Sequence, residues 1–295
     1  MAKTWLITGC TSGFGEEFVH QLTAQGQQVI ATGRGAETRL AHLKATGAAI
    51  LDLDVTAPQA VIEQKFQEAW DIYGTIDVLV NNAGYIFCGA LEEINQQELQ
   101  KAFDTMVHGP INLTRAALPK FRERGSGSLL YMGSQSGFVG EPGATAYCSP
   151  KFAIEGAVES LAKELAWLSP GIKPLIIESG IHSTEIMAKL QIVPSRVPFW
   201  QPLNEAARAR GLGNYENPAG DATTMISKVI DIVNGTGVAE GREIPLRIPF
   251  GSDCLAEMRK KIAELQKTYD EWESVANSTD IRGIKPAARL PSGGE

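Results

Sequence analysis

"LITGCTSGFGEEFVHQL", residues 6 to 22, runs from an apolar stretch through three glycines into apolar residues at helical spacing. That order predicts a strand, a tight turn at Gly9, Gly13 and Gly15, and a helix that continues through Phe18 and Leu22. Glycine lets a backbone turn sharply and approach a pyrophosphate, whose charge then meets the free N–H groups at the helix N-terminus. The spacing is GxxxGxG, not the commoner GxGxxG. Glycines in a plain turn would read alike; the strand–turn–helix setting makes this loop a candidate dinucleotide cradle.

Outward from this stretch, short β-branched and aliphatic runs lie at Thr4 to Thr8, Gln28 to Thr32, Ala49 to Asp52, Ile76 to Val80, Ser128 to Met132 and Lys173 to Glu178, with a weaker one near Ile244 to Ile248. Amphipathic stretches fill the gaps, the pattern of βαβ units around a parallel sheet buried on both faces. Phe66, Ala69, Trp70 and Tyr73 repeat at three and four residues, as on a helix that covers a sheet. Between Met187 and Pro218 the pattern breaks. Pro194, Pro198, Pro202, Phe199 and Trp200 among polar residues predict a long irregular insertion over about 187–218, of the kind that forms a lid or binding loop. We expect one domain over residues 1–280 and a loose tail over 283–295.

The 295 residues, 43% hydrophobic, are enough for one sizeable core. The net charge of -7, with Lys and Arg scattered, argues against a nucleic-acid partner. No stretch approaches the roughly 20 apolar residues of a membrane-spanning helix, and the early first strand predicts no cleavable leader. Cys10, Cys88, Cys148 and Cys254 are far apart without CxxC spacing, so neither a metal site nor a disulfide framework is expected, and a cytoplasmic location fits best.

The second strand bears on which dinucleotide would bind. An acid at its end accepts from a ribose 2'-OH, whereas an arginine suits a 2'-phosphate. "VIATGRG" has Gly33 at the acidic place and Arg34 after it, which favours NADP(H) over NAD(H), although Arg34 as a solvated loop charge reads alike. Asp54 closes the third strand, where its carboxylate would accept from an adenine amino group or cap the following helix. Further on, "AYCSPK", residues 146 to 151, sets Tyr147 four places ahead of Lys151. On a helix the two share a face, and the ammonium is expected to lower the tyrosine pKa from its reference of about 10. Ser134 follows the fifth strand, at the end where such sheets bind ligands.

The ordered set "TGCTSGFG" (8 to 15), "LDLDV" (51 to 55), "NNAG" (81 to 84), "GS" (133 to 134) and "YCSPK" (147 to 151) resembles the short-chain dehydrogenase/reductase family over residues 1 to 190. "YCSPKFAIEG" and the C-terminal "YDEWESVANSTD" resemble its 17β-hydroxysteroid-dehydrogenase-like branch. The resemblance implies an α/β fold, a Rossmann-type doubly wound parallel sheet of about seven strands in three layers. It implies hydride transfer between NADP(H) and a carbonyl or alcohol, with Ser134, Tyr147 and Lys151 catalytic. Cofactor-binding residues would be Gly9, Thr11, Ser12, Gly13, Phe14, Gly15, Arg34, Asp54, Val55, Asn82, Ala83, Gly84, Tyr147, Lys151, Ile181, His182 and Thr184. A homodimer or homotetramer is implied, through the helices carrying Met106 and Tyr147.

Two positions depart from the family pattern. Met106 stands where an asparagine is usual, and a thioether lacks the amide's donors and strong acceptor; its main-chain carbonyl remains, so slower proton relay is expected. Ser179-Gly180 replaces the usual "PG" after the sixth strand, followed by His182, expected to meet the cofactor through its backbone alone. Phe199 and Trp200 suggest an apolar lid and hence a moderately large apolar substrate. An epimerase, isomerase or cyclase on the same fold, and a non-catalytic dinucleotide-binding protein, are the competing readings.

Overall fold

The computed structural model describes residues 2–281; the tail expected over 283–295 lies outside them. Its strands are β1 (Thr4–Ile7), β2 (Gln28–Gly33), β3 (Ala49–Asp52), β4 (Val78–Asn81), β5 (Phe87–Cys88), β6 (Gly127–Met132), β7 (Ile172–Ser179), β8 (Gln191–Ile192) and β9 (Arg247–Phe250). Seven form one sheet in the order β3-β2-β1-β4-β6-β7-β9, every neighbouring pair parallel. Between and after them lie α1 (Gly13–Ala24), α2 (Ala36–Arg39), α3 (Gln59–Tyr73), α4 (Gln96–Phe103), α5 (Gly109–Arg124), α6 (Thr145–Leu168), α7 (Gln201–Glu216), α8 (Ala222–Asn234) and α9 (Ser252–Asn277). This is the doubly wound three-layer α/β arrangement expected.

Alternation along the strands builds the layers, because successive side chains point to opposite faces. Trp5, Ile7, Val29, Ala31, Val78 and Val80 join one core with Phe18 and Leu22 of α1 and Ile226 and Val229 of α8. Leu6, Ile30 and Leu79 turn the other way, to Phe66 and Ala69 of α3, Leu113 of α5 and Ile154 of α6. Trp70 and Tyr73 pack partly against that second core. Both faces of the sheet are thus apolar, which is why its strands read as continuous hydrophobic runs.

Two elements differ from expectation. The last strand is Arg247–Phe250, later than Ile244 to Ile248. Pro249 fits there because β9 is the sheet edge, where a missing N–H breaks no ladder on the outer side. The segment from 187 to 218 is also less irregular than expected. Gln191–Ile192 pairs in parallel with Phe87–Cys88, and α7 occupies most of the remainder. Its prolines open helical turns: Pro198 begins the turn Pro198–Trp200 and Pro202 lies in the first turn of α7, where the absent N–H has no partner to lose.

Candidate active site

The glycine loop is shaped by contacts that leave no room for side chains. Gly9 has φ +72°, and a Cβ there would lie 2.8 Å from the Ala83 Cα. A Cβ on Gly15 would overlap the Gly9 carbonyl oxygen. Asn82 locks this approach, its side-chain amide donating to the Thr8 carbonyl at 2.8 Å and that of Gly9 at 3.2 Å. The Thr8 hydroxyl accepts from the Asn82 and Ala83 N–H groups at 2.9 and 3.1 Å. Ser12, before α1, forms no side-chain cap. The first N–H groups of α1 therefore face the loop open to an anion.

A cavity of about 670 Å³ runs along this loop, lined by Gly9, Thr11, Ser12, Gly13, Phe14, Arg34, Asp54, Val55, Asn82, Ala83, Gly84 and Thr184. Sequence reading singled out each of these; Gly15, singled out with them, does not line the cavity. It did not single out Tyr85, Lys101, Asp104 or Lys189 on the same walls, nor Arg39, which lines the same end as Arg34 and approaches its carbonyl at 3.5 Å; "GRGAETR" holds the signal for the last, a second arginine five residues on. The Asp54 carboxylate accepts from the Thr56 N–H and hydroxyl at 2.9 and 2.8 Å, so one of its oxygens closes the turn after β3.

A second cavity, about 300 Å³, shares Phe14, Asn82, Gly84 and Thr184 with the first and is lined by Ser134, Tyr147, Lys151, Ile181 and His182. Tyr147 and Lys151 do share one face of α6, the ammonium lying 5.7 Å from the ring centroid. Its Nζ donates to the Met132 carbonyl at 2.5 Å, which fixes the side chain against the end of β6. The Ser134 hydroxyl accepts from the Ser136 N–H at 3.1 Å and points towards the Ser179 carbonyl, 3.5 Å away.

The electrostatics correct one expectation. Burial pushes the Tyr147 phenol up to about 12, the Ser134 hydroxyl opposing, instead of the lowering expected from the lysine. The same burial brings Lys151 down to about 8, with Glu155 opposing. Desolvation outweighs a charge whose nitrogen is already turned to a carbonyl. Glu155, one helical turn beyond Lys151, is itself buried with Glu178 beneath the loop of Gly133 and Gly137. Burial, then the mutual repulsion of these two carboxyls, raises Glu155, while Arg247 offsets part of the effect. Its place four residues after Lys151 was legible; its pairing with Glu178 and Arg247 crosses three elements and was not.

One further expectation changes, that of an aromatic lid. The Ile181 N–H donates to Asp253 at 2.8 Å and its carbonyl accepts from the Gly220 N–H at 2.9 Å, so its donor is taken while its carbonyl, on the cavity wall, keeps a second lone pair. The His182 ring packs edge-on against Phe14, centroids 5.9 Å apart, and its Nδ1 lies 3.1 Å from the Gly180 carbonyl. Phe199 and Trp200 do not line the pocket: Phe199 is 76% exposed, and the Trp200 indole donates to Glu92 at 2.7 Å. The apolar wall comes instead from Leu190, Leu203 and Ala207, with Ile86 and Met187. Glu93, buried, holds this segment down by accepting from the Arg196 and Val197 N–H groups at 2.8 and 3.0 Å and from Asn204 at 2.6 Å. Met106 is buried in the π-helical stretch Asp104–His108, its side chain against Gly84.

The sheet order and the cradle at its switch point place the chain among the doubly wound α/β proteins that take ligands beyond the carboxyl ends of their strands. A family model described as short chain dehydrogenase matches residues 3–192, and the chain belongs to that family. It is 37% identical over 296 residues to the oxidoreductase calM of Penicillium decumbens, covering 94% of this chain and 92% of that protein. It is 35% identical to human 17-beta-hydroxysteroid dehydrogenase type 1 over 209 residues, 67% of this chain and 62% of the relative. The crystal structure of a short-chain dehydrogenase from Streptomyces avermitilis superposes with a TM-score of 0.84 at 34% identity, covering 95% of this chain and 98% of the other. Dehydrogenase or reductase chemistry on a small molecule follows from that membership. Among the described residues no helix is long and apolar enough to cross a membrane, and no group of three or more His, Cys, Asp or Glu is placed to hold a metal.

Proposed function

We propose that the protein is an NADP(H)-dependent oxidoreductase that interconverts a carbonyl and an alcohol on a moderately large apolar substrate, with Tyr147 as general acid and base. The observation that carries this reading is the common wall of the two cavities: a glycine cradle with an uncapped helix on one side, and Ser134, Tyr147 and Lys151 on the other. The residues fit the dinucleotide, since the loop has space only for glycine where a pyrophosphate would approach and presents free N–H groups there. When bound, the nicotinamide supplies or accepts the hydride.

The chain's own groups do the rest. Tyr147 gives its proton to the carbonyl oxygen, and the Ser134 hydroxyl holds that oxygen in place. Lys151 keeps a positive charge beside the phenolate so formed and offers its ammonium to the nicotinamide ribose. Arg34 and Arg39, with no acid at Gly33, suit the 2'-phosphate. Leu190, Leu203 and Ala207 suit an apolar substrate body. Residues 1–280 would act as one domain with residues 187–218 as the substrate cover, in the cytoplasm, as two or four copies joined through the helices around Met106 and Tyr147.

NADPH absorbance followed against a panel of bulky ketones and aldehydes, wild type beside Tyr147→Phe, tests the reading. Consumption abolished by the substitution is expected. Nucleotide binding without consumption of any carbonyl would favour an epimerase, isomerase or cyclase, or a binding protein.

A further inference from the structure

Helix α9 is 26 residues long, yet only Cys254 and Met258, in its first two turns, are buried. Cys254 holds it to the body through the Glu178 carbonyl at 3.2 Å. Beyond Met258 the helix runs out with little cover. One row of its apolar residues nevertheless alternates by three and four: Leu255, Met258, Ile262, Leu265, Tyr269, Trp272 and Ala276, with Ala256, Ala263 and Val275 outside it. Ile262, Tyr269 and Trp272 are 56%, 63% and 60% exposed. This is the seam of a coiled coil, and a helix of this length in water is held chiefly by packing its apolar face.

The flanks of the seam say what covers it. The positions beside it on one edge are Arg259, Gln266 and Glu273; on the other edge they are Lys261, Thr268 and Val275. The charge therefore runs from basic through neutral to acidic or neutral along the helix. Such a gradient is self-complementary when a second copy lies antiparallel, Arg259 then facing Glu273, whereas a parallel pair would set Lys261 against Gln266 and Thr268 against Glu273 and form no opposite-charge contact.

We propose that the exposed half of α9 pairs antiparallel with the same helix of a second copy of this chain. Ile262 packs on Trp272 and Leu265 on Tyr269 across the two-fold axis, each layer made twice. Arg259 meets Glu273 at both ends. Ala276, small, falls where the other copy's body begins at Met258. The surface is separate from the catalytic site, and the proposal does not rest on the reading of that site.

Sedimentation velocity of the full chain decides it. The pair Ile262→Glu with Trp272→Glu is expected to halve the mass of the assembly: a tetramer also joined through the helices around Met106 and Tyr147 becomes a dimer, and a dimer joined by α9 alone becomes single copies. Arg259→Glu and Glu273→Arg are each expected to weaken association about tenfold, and the two combined in one chain to restore it. Where the glutamate pair also loses helicity, the charge-reversed set decides, since it leaves the apolar seam intact. A wild-type chain that sediments at its single-copy mass of 31.8 kDa overturns the proposal. So does an assembly unchanged by the glutamate pair, or a combined reversal no tighter than either alone.

Discussion

Lys151 carries its ammonium into a buried site against the Met132 carbonyl, and that burial brings its pKa to about 8 while Tyr147 stands at about 12. Between those values the tyrosine keeps its proton and the lysine loses its charge. On the proposed chemistry, kcat/KM for NADPH, which reports the cofactor-free protein, is level below about pH 8 and falls above it. A profile flat to about pH 10 would contradict the role given to Lys151. At the other end of the cradle, Arg34→Ala is expected to raise KM for NADPH about tenfold, the lower range for a charge-assisted bond at an exposed site, and to leave NADH nearly unchanged. Equal effects on both would show that Arg34 binds no phosphate. The glycines, Ser134, Tyr147 and Lys151 were legible because each is fixed by spacing within one turn or one helix. Glu178 and Arg247 were not, because their contacts are made between elements that only the fold brings together, whereas Arg39 lies five residues after Arg34 and its signal was local.

Helix α6 begins at Thr145, so Pro150 lies in its second turn and the carbonyl of Ala146 lacks the N–H it would otherwise receive. Tyr147 and Lys151 still share a face, and the proline bears on the helix rather than on the reaction. Pro150→Ser should restore one backbone bond, worth about 1 kcal/mol, and raise Tm by about 2 to 4 °C with turnover within about twofold. A large fall in turnover at unchanged Tm would contradict this. The same chemistry of proline explains why the segment from 187 to 218 was read too loosely. Proline marks both loops and first helical turns, and at Pro198 and Pro202 it marks the latter. The exposed Phe199 and Trp200 then fall outside the pocket, and the wall comes from leucine and alanine of lesser apparent promise.

Across the whole molecule, the parallel sheet brings the glycine loop after β1 and the serine after β6 to the same carboxyl edge, although 119 residues separate Gly15 from Ser134. Strand order accounts for that meeting, since β1 and β6 lie on either side of β4 and run parallel to it. On the proposed chemistry a hydride passes between the joined cavities, from a nucleotide on one side to a carbonyl on the other, and this passage is the central claim. It is tested most directly with NADPH deuterated at the transferred position of its nicotinamide and a bulky ketone that the protein reduces. The account predicts an alcohol carrying a single deuterium from wild type and none from Tyr147→Phe. Conversion of substrate with the deuterium retained in the nucleotide would contradict it.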